Sequence, residues 1–157
     1  TAASGGMGKL FLAIDQRAAG TGGGTCTTGV ANTHTLNTEV VDDIGVTLSG
    51  NQFTLPAGTY YIEASAPAYM VSTHKAALYN VTSGSVAIYG TSEMANNGPN
   101  AHTASLIRGK FTIASPTTYS IQHRCQSTVA TTGLGLPGVG LGGWPEVYTV
   151  VSAWKLD

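Results

Sequence analysis

Residues 53–69 read FTLPAGTYYIEASAPAY, and the fold turns on how this stretch is read. Pro56 and Gly58 mark a turn, since proline presets one backbone angle and glycine admits conformations closed to other residues. The following run, 59–69, is rich in β-branched and aromatic residues and reads as a strand. Tyr60 and Ile62 share one face of it and Tyr61 lies on the other, so both faces are apolar at this end. Pro67, late in the run, suggests an edge or a bulge, because proline cannot donate to a ladder.

Working outward, turn signals recur every 8–14 residues between short segments of the same kind, and helical periodicity is almost absent. Strands are expected at 9–15, 34–41, 46–54, 59–69, 75–81, 86–92, 104–114, 118–126 and 147–155. This is the pattern of an all-β sandwich or barrel. Two further strands share the double-faced character. In KLFLAID (9–15), Leu10, Leu12 and Ile14 oppose Phe11 and Ala13; in VYTVVSAW (147–154), Val147, Val151 and Ala153 oppose Tyr148, Val150 and Trp154. A half-exposed antiparallel strand shows one apolar and one polar face. Strands apolar on both need cover on both, and the second cover is read as another subunit.

The chain has 157 residues, enough for one domain with a sizeable core. Only 10% of residues are charged, against a usual quarter, and the net charge is −1. Thr, Ser, Asn and Gly supply the polarity instead, a pattern common in extracellular and virion proteins. With no basic block and no apolar run of membrane-spanning length, neither nucleic acid nor membrane insertion is expected. Residues 1–8 (TAASGGMG) read as a linker from a larger chain, leaving 9–157 as the domain. Cys26 and Cys125 lie far apart in sequence without metal-ligand spacing. They are expected to be free thiols, a disulfide being the alternative.

Little in the sequence carries catalysis. TGGGT (21–25) lacks the lysine and helix of a phosphate-binding loop. His34, His74, His102 and His123 form no metal-binding pair and are expected to be separate solvated or hydrogen-bonded residues. His74 with His102 could alternatively meet a ligand, and His123 with Arg124 could face a symmetry axis. Asp42–Asp43 is the only adjacent acidic pair and is expected to sit in a turn, calcium being the alternative. Without a nucleophile elbow or placed acid pair, no enzyme, metal or cofactor is expected.

Phe53, Pro56, Gly58 and Tyr60 resemble the central strand of tumour-necrosis-factor-like and complement-type globular-head jelly rolls. Ala57 and Ile62 depart from that pattern. The segments HKAALYNVTSG, GTSE, IRGKFTIA, IQHRC and VYTVVSAWKL are similar, in order, to the tips of bacteriophage tail fibres and tail needles. The resemblance implies a homotrimeric antiparallel jelly roll carried on a shaft. It would attach a virion to a host glycan or outer-membrane protein. A trimerisation cap without receptor, or a bacterial jelly-roll lectin, are the alternatives. Phe11, Tyr61, Tyr148 and Trp154 are its candidate interface residues. With the shaft at residue 1, the turns at 55–57, 82–85 and 115–117 fall at the shaft end. The loops at 16–32, 70–74, 94–103 and 127–146 fall at the far end. Loops on a rigid scaffold carry specificity, so His74, Asn96, Asn97, Asn100, His102 and Trp144 are the candidate receptor contacts. The stretch GLGLPGVGLGG (133–143) is expected to seal the far end, its aliphatic residues packing against one another or against neighbouring copies.

Overall fold

The computed structural model describes residues 8–98 and 100–157; the expected linker 1–8 lies outside them except for Gly8. Eleven strands follow in chain order: β1 (Lys9–Arg17), β2 (Asn32–Thr33), β3 (Thr38–Asp42), β4 (Thr47–Ser49), β5 (Gln52–Leu55), β6 (Gly58–Tyr69), β7 (Ser72–Asn80), β8 (Ser85–Ala95), β9 (His102–Ile113), β10 (Thr117–Cys125) and β11 (Glu146–Lys155). They form two antiparallel sheets, ordered β3-β1-β11-β6-β9 and β4-β5-β10-β7-β8, with β2 pairing β10. The sheets face each other across one core, and no helix occurs among the described residues. The expected all-β sandwich is the observed one.

β6 shows why the opening stretch organises the sheet. The Tyr60 hydroxyl donates to the Pro56 carbonyl at 2.8 Å, closing the turn that launches the strand. The strand then pairs β9 along its whole length, but β11 only as far as Ser65. Pro67 lies beyond that point, where its missing N–H faces no ladder strand. The edge expectation holds locally.

Inward residues of β10 name the layers of the core in turn: Tyr119, Ile121, His123 and Cys125. At the Tyr119 level the core is aromatic. Phe11, Phe53, Tyr119, Phe111 and Tyr60 form a run with successive ring centroids 5.8, 5.9, 5.4 and 5.9 Å apart. Offset contacts at this spacing add to the stabilisation from burial. Farther along, histidines replace hydrocarbon, and a small second cluster around Cys26, Val71, Cys125 and Leu134 closes the end.

Three expectations change. The segment 46–54 is not one strand but the hairpin β4–β5, because Gly50 (φ 59°) and Asn51 (φ 62°) adopt the paired left-handed conformation of a tight hairpin turn. The 34–41 strand begins only at Thr38, since residues 34–37 cross from one sheet to the other. Cys26 and Cys125 are not free thiols but a disulfide, their Cα atoms 6.5 Å apart. Sequence separation hid this pairing, because antiparallel crossovers bring the 18–31 connection over the end of β10.

Replacing both cysteines by serine removes a cross-link spanning 99 residues. Loop-closure entropy makes the expected loss of stability about 2–5 kcal/mol. Urea unfolding of the variant checks it, and an unchanged midpoint would show that the bond contributes nothing.

Candidate functional site

The pairing of β1 with β11 sets Lys9 opposite Lys155, so both strand ends meet at one end of the sandwich. Gly58 sits beside Lys155 and opposite Ile113, and Thr117 lies opposite Leu55, bringing the turns at 56–57 and 114–116 to the same end. The turn after Asn80 joins them, since Asn80 pairs Tyr119. The connections 18–31, 70–71, 96–101 and 126–145 gather at the opposite, distal end. Every long connection there belongs to the surface where a scaffold carries variable loops.

Two of these connections are laced together through glycine. Gly23 donates to Gly135, Gly24 to Thr131 and Leu134 to Gly24, at 2.9 Å each. A side chain on Gly23 would run into the Leu134 carbonyl, and one on Gly133 into that of Val129. The TGGGT and GLGL glycines are therefore required for backbone contact. Leu134 is buried beneath the lacing, whereas beyond it Val139 is 93% and Trp144 75% exposed. Of the aliphatic residues of 133–143, only Leu134 is buried within the chain; Leu136, Val139 and Leu141 are exposed. Glu146 holds the remainder, its carboxylate accepting from Gly138 and Gly20.

Arg17 anchors the other side. Its guanidinium pairs with buried Asp15 at 2.9 Å and donates to the Gly22 and Gly23 carbonyls and to Thr35. Opposite Asp15, β11 carries a bulge, for Ile14 pairs Val150 while Gln16 pairs Val147. The extra residue turns Tyr148 and Thr149 both inward. The Tyr148 hydroxyl then donates to the Thr21 carbonyl at 2.7 Å, and burial pushes its pKa up to about 12.

Under the distal loops lies a continuous buried hydrogen-bond chain. Thr149 Oγ1 meets His34 Nδ1 at 2.7 Å, His34 Nε2 meets His123 Nδ1 at 2.7 Å, His123 Nε2 meets His74 Nδ1 at 2.8 Å, and His74 Nε2 meets Thr103 Oγ1 at 2.7 Å. Each neutral imidazole has one N–H and one acceptor nitrogen. The bonds must therefore all point the same way, with one threonine donating and the other accepting. Burial holds His34 at about 3, aided by Arg17, and His123 at about 2, aided by His34 and His74; His74 is also lowered, chiefly by burial.

No protein-family model matches the chain, and no curated protein matches it in sequence. Among solved structures, murine APRIL at pH 8.0 superposes with a TM-score of 0.58 at 8% identity, over 94% of this chain and 98% of that one. The globular domain of zebrafish complement 1qA superposes with a TM-score of 0.59 at 14% identity, over 96% and 98%. The fold is a tumour-necrosis-factor-like jelly roll. At these identities the likeness concerns the path of the chain and not its chemistry.

Within this jelly roll the anticipated site residues divide. Asn96, Asn97, Asn100 and His102 are exposed around one distal turn, where Tyr69 packs edge-on to His102 and donates to Asn100 at 2.9 Å. Trp144 is exposed on the neighbouring 126–145 connection. His74 does not join them, because it is buried as the last imidazole of the chain. His123 is fully buried between the sheets and so faces no symmetry axis. The Asp42 carboxylate accepts from the backbone of Ile44, Gly45 and Val46, which makes it the organiser of a turn. Phe11 is fully buried in the aromatic run and Tyr148 under the distal loops, so neither is free to meet another subunit. Tyr61 and Trp154 stay half-exposed on the outer face of the five-stranded sheet, rings 5.9 Å apart.

The imidazole chain makes stability depend on pH with a definite sign. Histidines titrate near 6.5 when unfolded, but His34 and His123 titrate at about 3 and about 2 when folded. Stability is thus complete above pH 6.5 and falls as pH drops from 6.5 towards 3. These two groups together remove about 3 kcal/mol between pH 6.5 and 5, before most carboxylates protonate. Urea midpoints across that interval check this, and a flat profile would show that the imidazoles are not held neutral.

Proposed function

We propose that the chain is a non-enzymatic binding head that trimerises through the outer face of its five-stranded sheet and engages its receptor with the distal loops. The observation that carries this is the composition of that outer face. Cross-strand rows set Leu10, Trp154 and Tyr61 side by side, then Leu12 beside Ser152 and Glu63, then Ile14 and Val150 beside Ser65 and Leu106. All are half-exposed in the single chain. A sheet face meant for water would be polar throughout; here apolar residues flank a central Ser152–Glu63–Arg108 row, and apolar area left uncovered in this way marks an association surface. The count of three comes from the jelly-roll resemblance, and a three-fold contact closes on itself without leaving open edges.

The placement on a virion tail fibre or needle tip, facing a host glycan or outer-membrane protein, belongs to the same proposal. Neutral polar composition, a disulfide suited to an oxidising exterior and strand ends gathered opposite the long loops support it. The head catalyses nothing in this reading. Asn96, Asn97, Asn100, His102 and Trp144 supply hydrogen bonds and a stacking ring at the exposed end, and several fibres together would compensate for a weak single site.

Light scattering of the isolated chain should give three times the monomer mass. Trp154→Asp should give monomers with unchanged circular dichroism, since burying a carboxylate in the contact is costly. A monomeric parent chain would overturn the assembly. Replacing 96–101 and 136–144 in intact trimers should abolish competition with phage adsorption; unchanged competition would instead favour a structural cap.

A further inference from the structure

The outer face of the six-stranded sheet carries an arrangement that neither the distal loops nor the proposed trimer contact uses. The register sets Arg124 of β10 directly opposite Lys75 of β7, and Lys75 opposite Ser92 of β8. Like charges directly opposed across a sheet cost stability. Both cations are exposed. Among the described residues the ion pairs are Asp15–Arg17, Glu63–Arg108 and Asp157–Lys155, so neither Lys75 nor Arg124 has a carboxylate within pairing distance.

The two cations form a ridge between two depressions. The distal one, about 600 Å³, is lined by Thr73, Ser92, Glu93 and Gln126 besides the cations. The smaller, about 90 Å³, lies between Ala77, Val86, Tyr89 and Gln122. Tyr89 is 70% exposed, and the Lys75 ammonium lies 5.8 Å over its ring. His74 and His123 also border these depressions, their imidazoles turned inward to the hydrogen-bonded chain between the sheets.

We propose that this face binds an acidic sugar, a pyranose bearing one carboxylate at the end of a glycan. The carboxylate would lie against the Arg124 fork and the Lys75 ammonium, relieving a repulsion that the empty sheet bears. Tyr89 offers the flat apolar surface that the C–H face of a pyranose needs. Gln122, Gln126 and Ser92 hydrogen-bond its hydroxyls, and Glu93 accepts from one of them. Glu93 also argues against a polyanion, since its charge shares the larger depression with the cations. The site lies wholly within one chain and stands whether or not the chain trimerises.

The test is a chemical-shift titration of the nitrogen-labelled chain with the methyl glycosides of N-acetylneuraminic acid and of glucuronic acid. The methyl esters of both sugars serve as uncharged controls. Millimolar binding of at least one acid is expected, with shifts centred on Lys75, Tyr89 and Arg124. Its ester should bind at least about tenfold more weakly, and so should Arg124→Gln and Lys75→Gln with the acid. Those variants should also melt no lower than the parent, because each removes the opposed charge. Absence of binding by both acids, equal binding of the ester, or inorganic sulfate competing as well as the sugar would each overturn the proposal. So would variants that lose binding only because they lose stability.

Discussion

Everything in this molecule is oriented by one ladder, the antiparallel pairing of β1 with β11. It brings the two terminal strands together with Lys9 facing Lys155. Because every later neighbour in the two sheets is also antiparallel, that single contact assigns each turn to one end or the other. The turns at 56–57, 81–84 and 114–116 fall beside Lys9 and Lys155, and the long connections 18–31, 96–101 and 126–145 fall opposite, together with the short turn at 70–71. The bulge at Asp15 belongs to the same ladder, and by turning Tyr148 and Thr149 inward it starts both the anchoring of the 18–31 connection and the buried histidine chain.

That chain is an unusual way to fill a core. Three imidazoles and two hydroxyls occupy space that hydrocarbon would fill more cheaply, and every one of their polar atoms requires a partner. Among the described residues no buried side-chain nitrogen or oxygen lacks one. The network joins strands of both sheets, from Thr149 in β11 through β10 and β7 to Thr103 in β9. It fixes the sheets' relative position more specifically than interchangeable aliphatic residues do. The aromatic run supplies non-directional burial in the layer near the strand ends, and the disulfide covers the far layer. The three layers thus hold by three different kinds of force.

Much of this was legible in sequence. Turn spacing and the β-rich segments marked the sandwich, and the double-faced strands 9–15 and 147–155, read as needing a second cover, lie side by side in the five-stranded sheet. What stayed hidden was which parity faces inward. Phe11 and Leu10 are equally apolar, and only the partner sheet decides between them. β10 held a usable signal, because Tyr119, Ile121, His123 and Cys125 alternate with Ser120, Gln122 and Arg124. That parity places His123 and Cys125 in the core, and the same reading of β7 places His74 there with Ala76 and Leu78. Their partners could not be read, since His34 arrives from a crossover and Cys26 from a glycine-rich connection without periodicity. The apposition of Lys75 and Arg124 likewise exists only through register.

The position of the disulfide has a mechanical side. The covalent ring from Cys26 to Cys125 encloses β2 to β10 but neither β1 nor β11. A head held by its distal loops and pulled from Lys9 bears load along its strands, so the hydrogen bonds of β1 to β11 and β3 resist in shear and together. The disulfide cannot take up that load, because β1 lies upstream of it. Under such a load the rupture force would be set by the β1 ladders, reinforced at the distal end by Arg17 gripping Asp15, Thr35 and the Gly22–Gly23 carbonyls. In that geometry the cross-link would hold the loops together while the ladder bore the tension.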